Sequence, residues 1–215
     1  MNIISTNGSK KYMHVLYTNA DGLANKLTEL KVMLTTGKYK AICVTETHFQ
    51  GIPNPAIEIP QFELFREDRQ VGRKGSSAIY IHKSYSAKQL NFFHHMESLA
   101  LRVSNDEGHS FILVCLYRSS NISIDENQNI INEVHRLCKS MSNEDILIMG
   151  DVNLPDVHWN AGKVVCPKNS INKKYQMQQD MMDCIFQNGL QWCIRGDTVT
   201  RRHLVRNHLQ EASPT

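Results

Sequence analysis

Short apolar runs alternate along this chain with stretches whose apolar positions recur every three or four residues. "MHVLYTN" (13–19) predicts a strand. In "LANKLTELKVML", Leu23, Leu27, Leu30 and Leu34 share one helical face, and Gly37 follows as a stop. "KAICVTE" (40–46) predicts a short buried strand. Residues 51–60, "GIPNPAIEIP", hold three prolines and predict a loop. Strand-like runs follow: "QFELFR", "SSAIYIH", "LALRV" and "SFILVCLY". The last is apolar throughout, as expected of a central strand covered on both faces. Residues 125–141 predict a helix with Ile131, Val134, Leu137 or Cys138, and Met141 inward. "DILIMG" is the next strand. Residues 175–188 predict another helix, with Met177, Met181, Cys184 and Ile185 on one face, and "GLQWCI" a final short strand.

The order is strand–helix–strand, a series of strands, then helix–strand twice. It predicts an α/β domain of sheets covered by helices. Active sites in such layered domains lie beyond strand ends, where loops gather polar groups over a rigid base.

Composition narrows this little. With 215 residues, 41 % hydrophobic and 21 % charged, the chain is of ordinary globular make-up. Its net charge of +3 gives only a slight lean towards polyanions. No apolar run nears the roughly 20 residues of a membrane span, and the first residues do not read as a secretory leader. The expectation is a protein that is not secreted and has no membrane partner; the sequence leaves nuclear or cytoplasmic placement open. None of the six cysteines forms a C-x-x-C pair, so free buried thiols are expected. The ten histidines lack ligand spacing, and the His94–His95 pair reads as loop.

The chemistry gathers at the strand ends. "HVLYTN" ends in Asn19 and "AICVTE" in Glu46. "ILVCLY" runs into Tyr117 and Arg118, and "ILIMGDVN" into Asp151 and Asn153. Any one of these is ordinary turn chemistry. The set of four is chemically coherent. Glu46 with the amide oxygen of Asn19 can hold Mg²⁺, which takes hard oxygen ligands. Asp151 can orient a water or accept its proton, and Asn153 can hold Asp151 or a phosphate oxygen. Tyr117 and Arg118 can donate to phosphate. This outlines metal-assisted phosphoester hydrolysis.

The segments "YTNADGLANKLTEL", "ICVTETHF", "FELFREDR", "SSAIYIHK", "LVCLYRSS" and "ILIMGDVNLPDVHW" stand in the order of the endonuclease/exonuclease/phosphatase superfamily. They most resemble its branch in LINE-type (non-LTR) retrotransposons, which is similar to the apurinic/apyrimidinic endonucleases. The resemblance spans residues 12–200. It implies a four-layer α/β sandwich of two mixed sheets flanked by helices. It also implies nicking of DNA with Mg²⁺ (or Mn²⁺), and no small-molecule cofactor. On matching positions, Glu46 is the metal ligand with Asn19 beside it. Tyr117 contacts the scissile phosphate, Asp151 activates or positions the attacking water, and Asn153 helps orient the phosphate and Asp151.

The chain departs from the family pattern in three places. Ser76 and Ser77 stand where glycines are usual. Ser119 and Ser120 replace a Pro-Pro pair. The third departure is the largest, for no Ser-Asp-His occurs, and the family closes its site with that motif. His203 and His208 are the candidates to replace it, yet their neighbours Arg202 and Asn207 are not aspartate. Residues 201–215 accordingly read as a divergent basic tail, and the domain as missing its last strands. Losing one acid–base partner costs about 10²–10⁴-fold in rate. The expectation is a weak or inactive endonuclease. The alternatives are an inactive remnant that at most binds nucleic acid through its basic residues, and a phosphatase of the same superfamily.

Overall fold

Alternation along β8 (Ser110–Tyr117) shows how the layers stack. Phe111, Leu113 and Cys115 face one buried cluster, and Ile112, Val114 and Leu116 face another. A two-residue period buried on both sides requires cover on both sides. The computed structural model describes residues 2–5, 12–70, 72, 75–165, 173–192 and 204–206.

In chain order the strands are β1 (Asn2–Ser5), β2 (Tyr12–Asn19), β3 (Ala41–Thr45), β4 (Phe62–Glu67), β5 (Ser77–His82), β6 (Ser86–Gln89) and β7 (Leu99–Ser104). After β8 come β9 (Ile146–Asp151), β10 (Val157–His158), β11 (Lys163–Val164), β12 (Gln191–Trp192) and β13 (Leu204–Arg206). The helices are α1 (Leu27–Leu34), α2 (Asn54–Ile57), α3 (Ile124–Ser140) and α4 (Lys173–Gln187). One sheet runs β1-β2-β3-β5-β4, the other β12-β13-β9-β8-β7-β6, and β10 pairs with β11 in a separate ribbon.

The inward faces of the two large sheets meet. Met13, Val15, Ala41, Cys43, Ile79 and Ile81 pack against Leu99, Leu101, Val103, Leu113, Leu147 and Met149. The outer face of the first sheet (Ile42, Val44, Ala78, Tyr80) carries Leu27, Leu30 and Leu34 of α1. The outer face of the second (Ile112, Val114, Ile146, Ile148) carries α3 through Ile130, Val134 and Leu137, and α4 through Met181 and Ile185. The result is the expected four-layer α/β sandwich with two mixed sheets.

Three details differ from the sequence reading. The Pro-rich 51–60 stretch contains the short helix α2. Pro55 fits its first turn, where a missing N–H costs nothing. On α4 it is Gln178 rather than Met177 that is fully buried, bonded to Asp156 through both its Oε1 and Nε2 (3.0 and 2.7 Å). Part of the stretch read as a basic tail is β13, which pairs antiparallel with β9. His203 and His208 lie outside the described residues. Cys43, Cys115, Cys138 and Cys184 are free and buried, as expected, whereas Cys166 and Cys193 are not among the described residues. No described helix is long and apolar enough to cross a membrane.

Candidate active site

Among the described strands, each large sheet contains one parallel pair: β2 with β3, and β8 with β9. A parallel pair brings two C-terminal strand ends side by side, whereas an antiparallel pair does not. Register sets Asn19 opposite Thr45, one residue before Glu46, and Tyr117 opposite Asp151. The four tips singled out in the sequence belong to these two pairs.

On the first pair the loops are tied to each other through backbone. Ala20, Gly22 and Leu23 donate to the carbonyls of Thr45, Glu46 and Thr47 at 2.9, 2.9 and 3.0 Å. Thr47 and His48 in turn donate to Ser76 and Gly75. Asn19 Oδ1 accepts from the backbone N–H of Asp21 at 3.2 Å, an Asx turn that leads the chain out of β2. Asp21, Glu46 and His48 all have left-handed backbone, with φ of 42°, 54° and 54°. Residues other than glycine adopt this region at a cost, met here by the lattice of backbone bonds.

Asn19 joins the two sheets. Its Nδ2 donates to Glu46 Oε1 at 2.9 Å and to Asp151 Oδ2 at 3.0 Å. One amide thereby spaces two carboxylates without letting them meet.

On the second pair, Gly150 decides the approach. A Cβ there would lie 1.8 Å from the Leu116 carbonyl oxygen, so only glycine lets β9 pass β8 at this point. Asp151 follows, 7 % exposed, its Oδ1 accepting from the Asn153 N–H at 3.2 Å. Asn153, at φ 44°, donates its side-chain amide to the Arg118 carbonyl at 2.6 Å. Arg118 is 3 % exposed. Its Nε donates to Asn127 Oδ1 at 2.8 Å, and its Nη1 to the carbonyls of Val152 and Asn153 at 3.3 and 2.9 Å. Burial lowers its pKa to about 10, which leaves it cationic at neutral pH. Arg118, expected at phosphate, clamps the turn that carries Asp151 and Asn153 through its Nε and Nη1.

Tyr117 is buried, and its backbone N–H donates to Ser98 Oγ at 2.9 Å. Its pKa is pushed up to about 12, first by burial and then by the carboxylates of Glu46 and Glu97, so the phenol stays a proton donor. Beside it opens a cleft of about 670 Å³ whose lining includes Arg69, His95, Glu97 and Asn121. Arg69 Nε pairs with Glu97 Oε1 at 2.7 Å, and Glu97 Oε2 accepts from the Ser76 N–H at 2.6 Å. Ser76 shows why a serine is tolerated where glycine is usual. At φ 72° its strained backbone is held by Glu97, and its hydroxyl accepts from the Arg69 N–H at 2.9 Å.

The structure adds Asp21 and His48 to the residues singled out in the sequence. Ligand atoms of Asp21, Glu46 and His48 lie within 4.8 Å of one another. A signal was present in the spacing: Asn19-x-Asp21 and Glu46-x-His48 each put a second donor two residues beyond a strand-end donor. The Asn19 amide nitrogen faces Glu46, while the second carboxylate near Glu46 comes from Asp21.

No family model matches the sequence, and no curated protein matches it. Solved structures do. The endonuclease domain of TRAS1, a telomere-specific non-LTR retrotransposon, superposes with TM-score 0.62 at 15 % identity, over 88 % of this chain and 84 % of that one. A mannosyl-6-phosphatase from Bacteroides thetaiotaomicron gives 0.60 at 11 % identity, over 90 % and 85 %. An AP endonuclease from Archaeoglobus fulgidus gives 0.56 at 12 % identity, over 90 % and 86 %. The fold is that of the endonuclease/exonuclease/phosphatase superfamily.

Proposed function

We propose that this chain is a divalent-metal-dependent phosphodiesterase that nicks DNA, of the type found in non-LTR retroelements. The observation that carries the reading is the Asn19 bridge, which holds a carboxylate from each sheet at the ends of both parallel pairs. The ordered sequence motifs support the nuclease over the phosphatase, since the fold is shared with examples of both.

The residues fit a cation. Glu46 and Asp21 offer hard oxygen donors a few ångströms apart, and three ligand atoms converge from two loops of fixed backbone. A bound ion would neutralise charge on the phosphate oxygens. The chain's own groups then divide the remaining work. Tyr117, protonated, donates to a phosphate oxygen. Asp151, fixed by Asn19 and the Asn153 N–H, orients a water and takes its proton. Asn153 and the Arg118 clamp keep the Asp151 turn in register.

The test is nicking of supercoiled plasmid by the purified chain with Mg²⁺, Mn²⁺ or EDTA, beside Asp151→Ala. Metal-dependent nicking that vanishes in the variant supports the reading. Release of phosphate from 3′-phosphomonoesters without nicking would make the chain a phosphatase. Salt-dependent DNA binding with neither activity would make it an inactive remnant.

A further inference from the structure

We propose that His48 is a ligand of the cation, making the centre a mixed nitrogen–oxygen site that favours Mn²⁺ over Mg²⁺. The inference rests on the reading that a divalent ion sits at Glu46, and goes further by naming the third donor and the ion it selects.

Distance is the first argument. Two ligands on one ion at about 2.1 Å each are at most about 4.2 Å apart. The His48 ring nitrogen, an Asp21 oxygen and a Glu46 oxygen already lie within 4.8 Å of one another. Closing onto a shared ion asks a shift of about half an ångström from side chains whose backbones are fixed.

An unused atom is the second. His48 Nε2 is buried and has no hydrogen-bond partner, although the ring sits among polar loops. Buried polar atoms are nearly always satisfied, and one that is not calls for an unrecorded partner. A cation on one ring nitrogen would fix the tautomer and leave the other to donate to a water or carbonyl.

The third argument is placement. His48 is held at φ 54° by its N–H bond to the Gly75 carbonyl at 3.2 Å. Asp21 and Glu46 share the same strained geometry. Gly22 faces the ring, where an added Cβ would lie 3.4 Å from His48 Nδ1. That is ordinary van der Waals contact, so the loop that supplies Asp21 also packs beside the imidazole.

Donor chemistry then selects the ion. Mg²⁺ prefers oxygen and keeps its waters, whereas Mn²⁺ suits the same carboxylates and, as a first-row transition ion, accepts an imidazole nitrogen more readily than Mg²⁺ does. The test is Mn²⁺ binding to the full chain, followed by electron paramagnetic resonance. The free-ion signal gives the affinity, and electron spin-echo modulation from ¹⁴N reports a bound imidazole. Wild type is expected to show ¹⁴N modulation that His48→Ala and His48→Gln both lose. Their Mn²⁺ affinity should fall about 10-fold or more, while Mg²⁺ affinity, measured by competition, changes less. Circular dichroism of both variants checks the fold. Mn²⁺ bound in a Glu46-dependent way without ¹⁴N modulation would overturn the role of His48 and leave the metal reading standing. Equal losses of Mg²⁺ and Mn²⁺ affinity would overturn the selectivity. No Mn²⁺ binding by the folded chain would overturn both the inference and the metal reading beneath it.

Discussion

The two strand–helix–strand units, β2–α1–β3 and β8–α3–β9, deliver the same kind of product by different means. Each is a parallel pair joined by a helix, and each ends in polar groups at its strand tips. The first uses a short helix without a side-chain cap and holds its donors by backbone bonds between loops in left-handed conformation. The second has a 17-residue helix opened by a capping box, Ser123 with Glu126, and holds its donors through one buried arginine. Backbone lattices fix loops whatever the side chains are, so damage to the first unit should stay at the residue changed. A side-chain clamp concentrates control, so damage to the second should spread.

The sharpest way to break the comparison is Gly150→Ala. A Cβ against the Leu116 carbonyl forces the parallel pair apart and is expected to cost about 3 kcal/mol, read as a lowered denaturation midpoint. Asp151→Asn comes next: kcat should fall about 10²–10⁴-fold while the circular dichroism spectrum stays native. Arg118→Met follows, with a loss of kcat of about 10-fold through the displaced turn and DNA affinity unchanged. Had the guanidinium bound phosphate, the salt dependence of DNA binding would drop by about one unit of slope instead, so the slope decides between the two roles. Ser123→Ala is smaller again, costing about 1 kcal/mol of stability and leaving the chemistry intact. The smallest effect concerns pH. Because the Tyr117 pKa is raised to about 12, its contribution to stability is whole below the unfolded value near 10 and is lost as pH rises through about 12. A melting-temperature series over alkaline pH should therefore lose less between pH 10 and 12 in Tyr117→Phe than in wild type.

Much of this was legible in the chain. "AICVTE", "FILVCLY" and "ILIMG" announce buried strands because both their faces are apolar, and α3 follows from its Ile131–Val134–Cys138 spacing. The strand tips were legible for the same reason, since a polar residue ending an apolar run stands out. Strands β6, β10 and β11 were not, because they are defined by hydrogen-bonded partners rather than by periodicity. Asp21 and His48 sit two residues past the visible tips Asn19 and Glu46, on turns whose direction only the φ values reveal. Arg118 looks like a phosphate donor on paper. Its burial, and the acceptors Asn127, Val152 and Asn153 that engage its Nε and Nη1, are tertiary facts.

The Asn19 bridge also ties function to the order of assembly. Its two partners, Glu46 and Asp151, lie 27 and 132 residues away along the chain. Contacts of such long separation form late, after local units have condensed. A nascent or half-folded chain with both units built but undocked has no reaction centre. On the proposed reading, the reaction centre is completed only with the final closure of the sandwich.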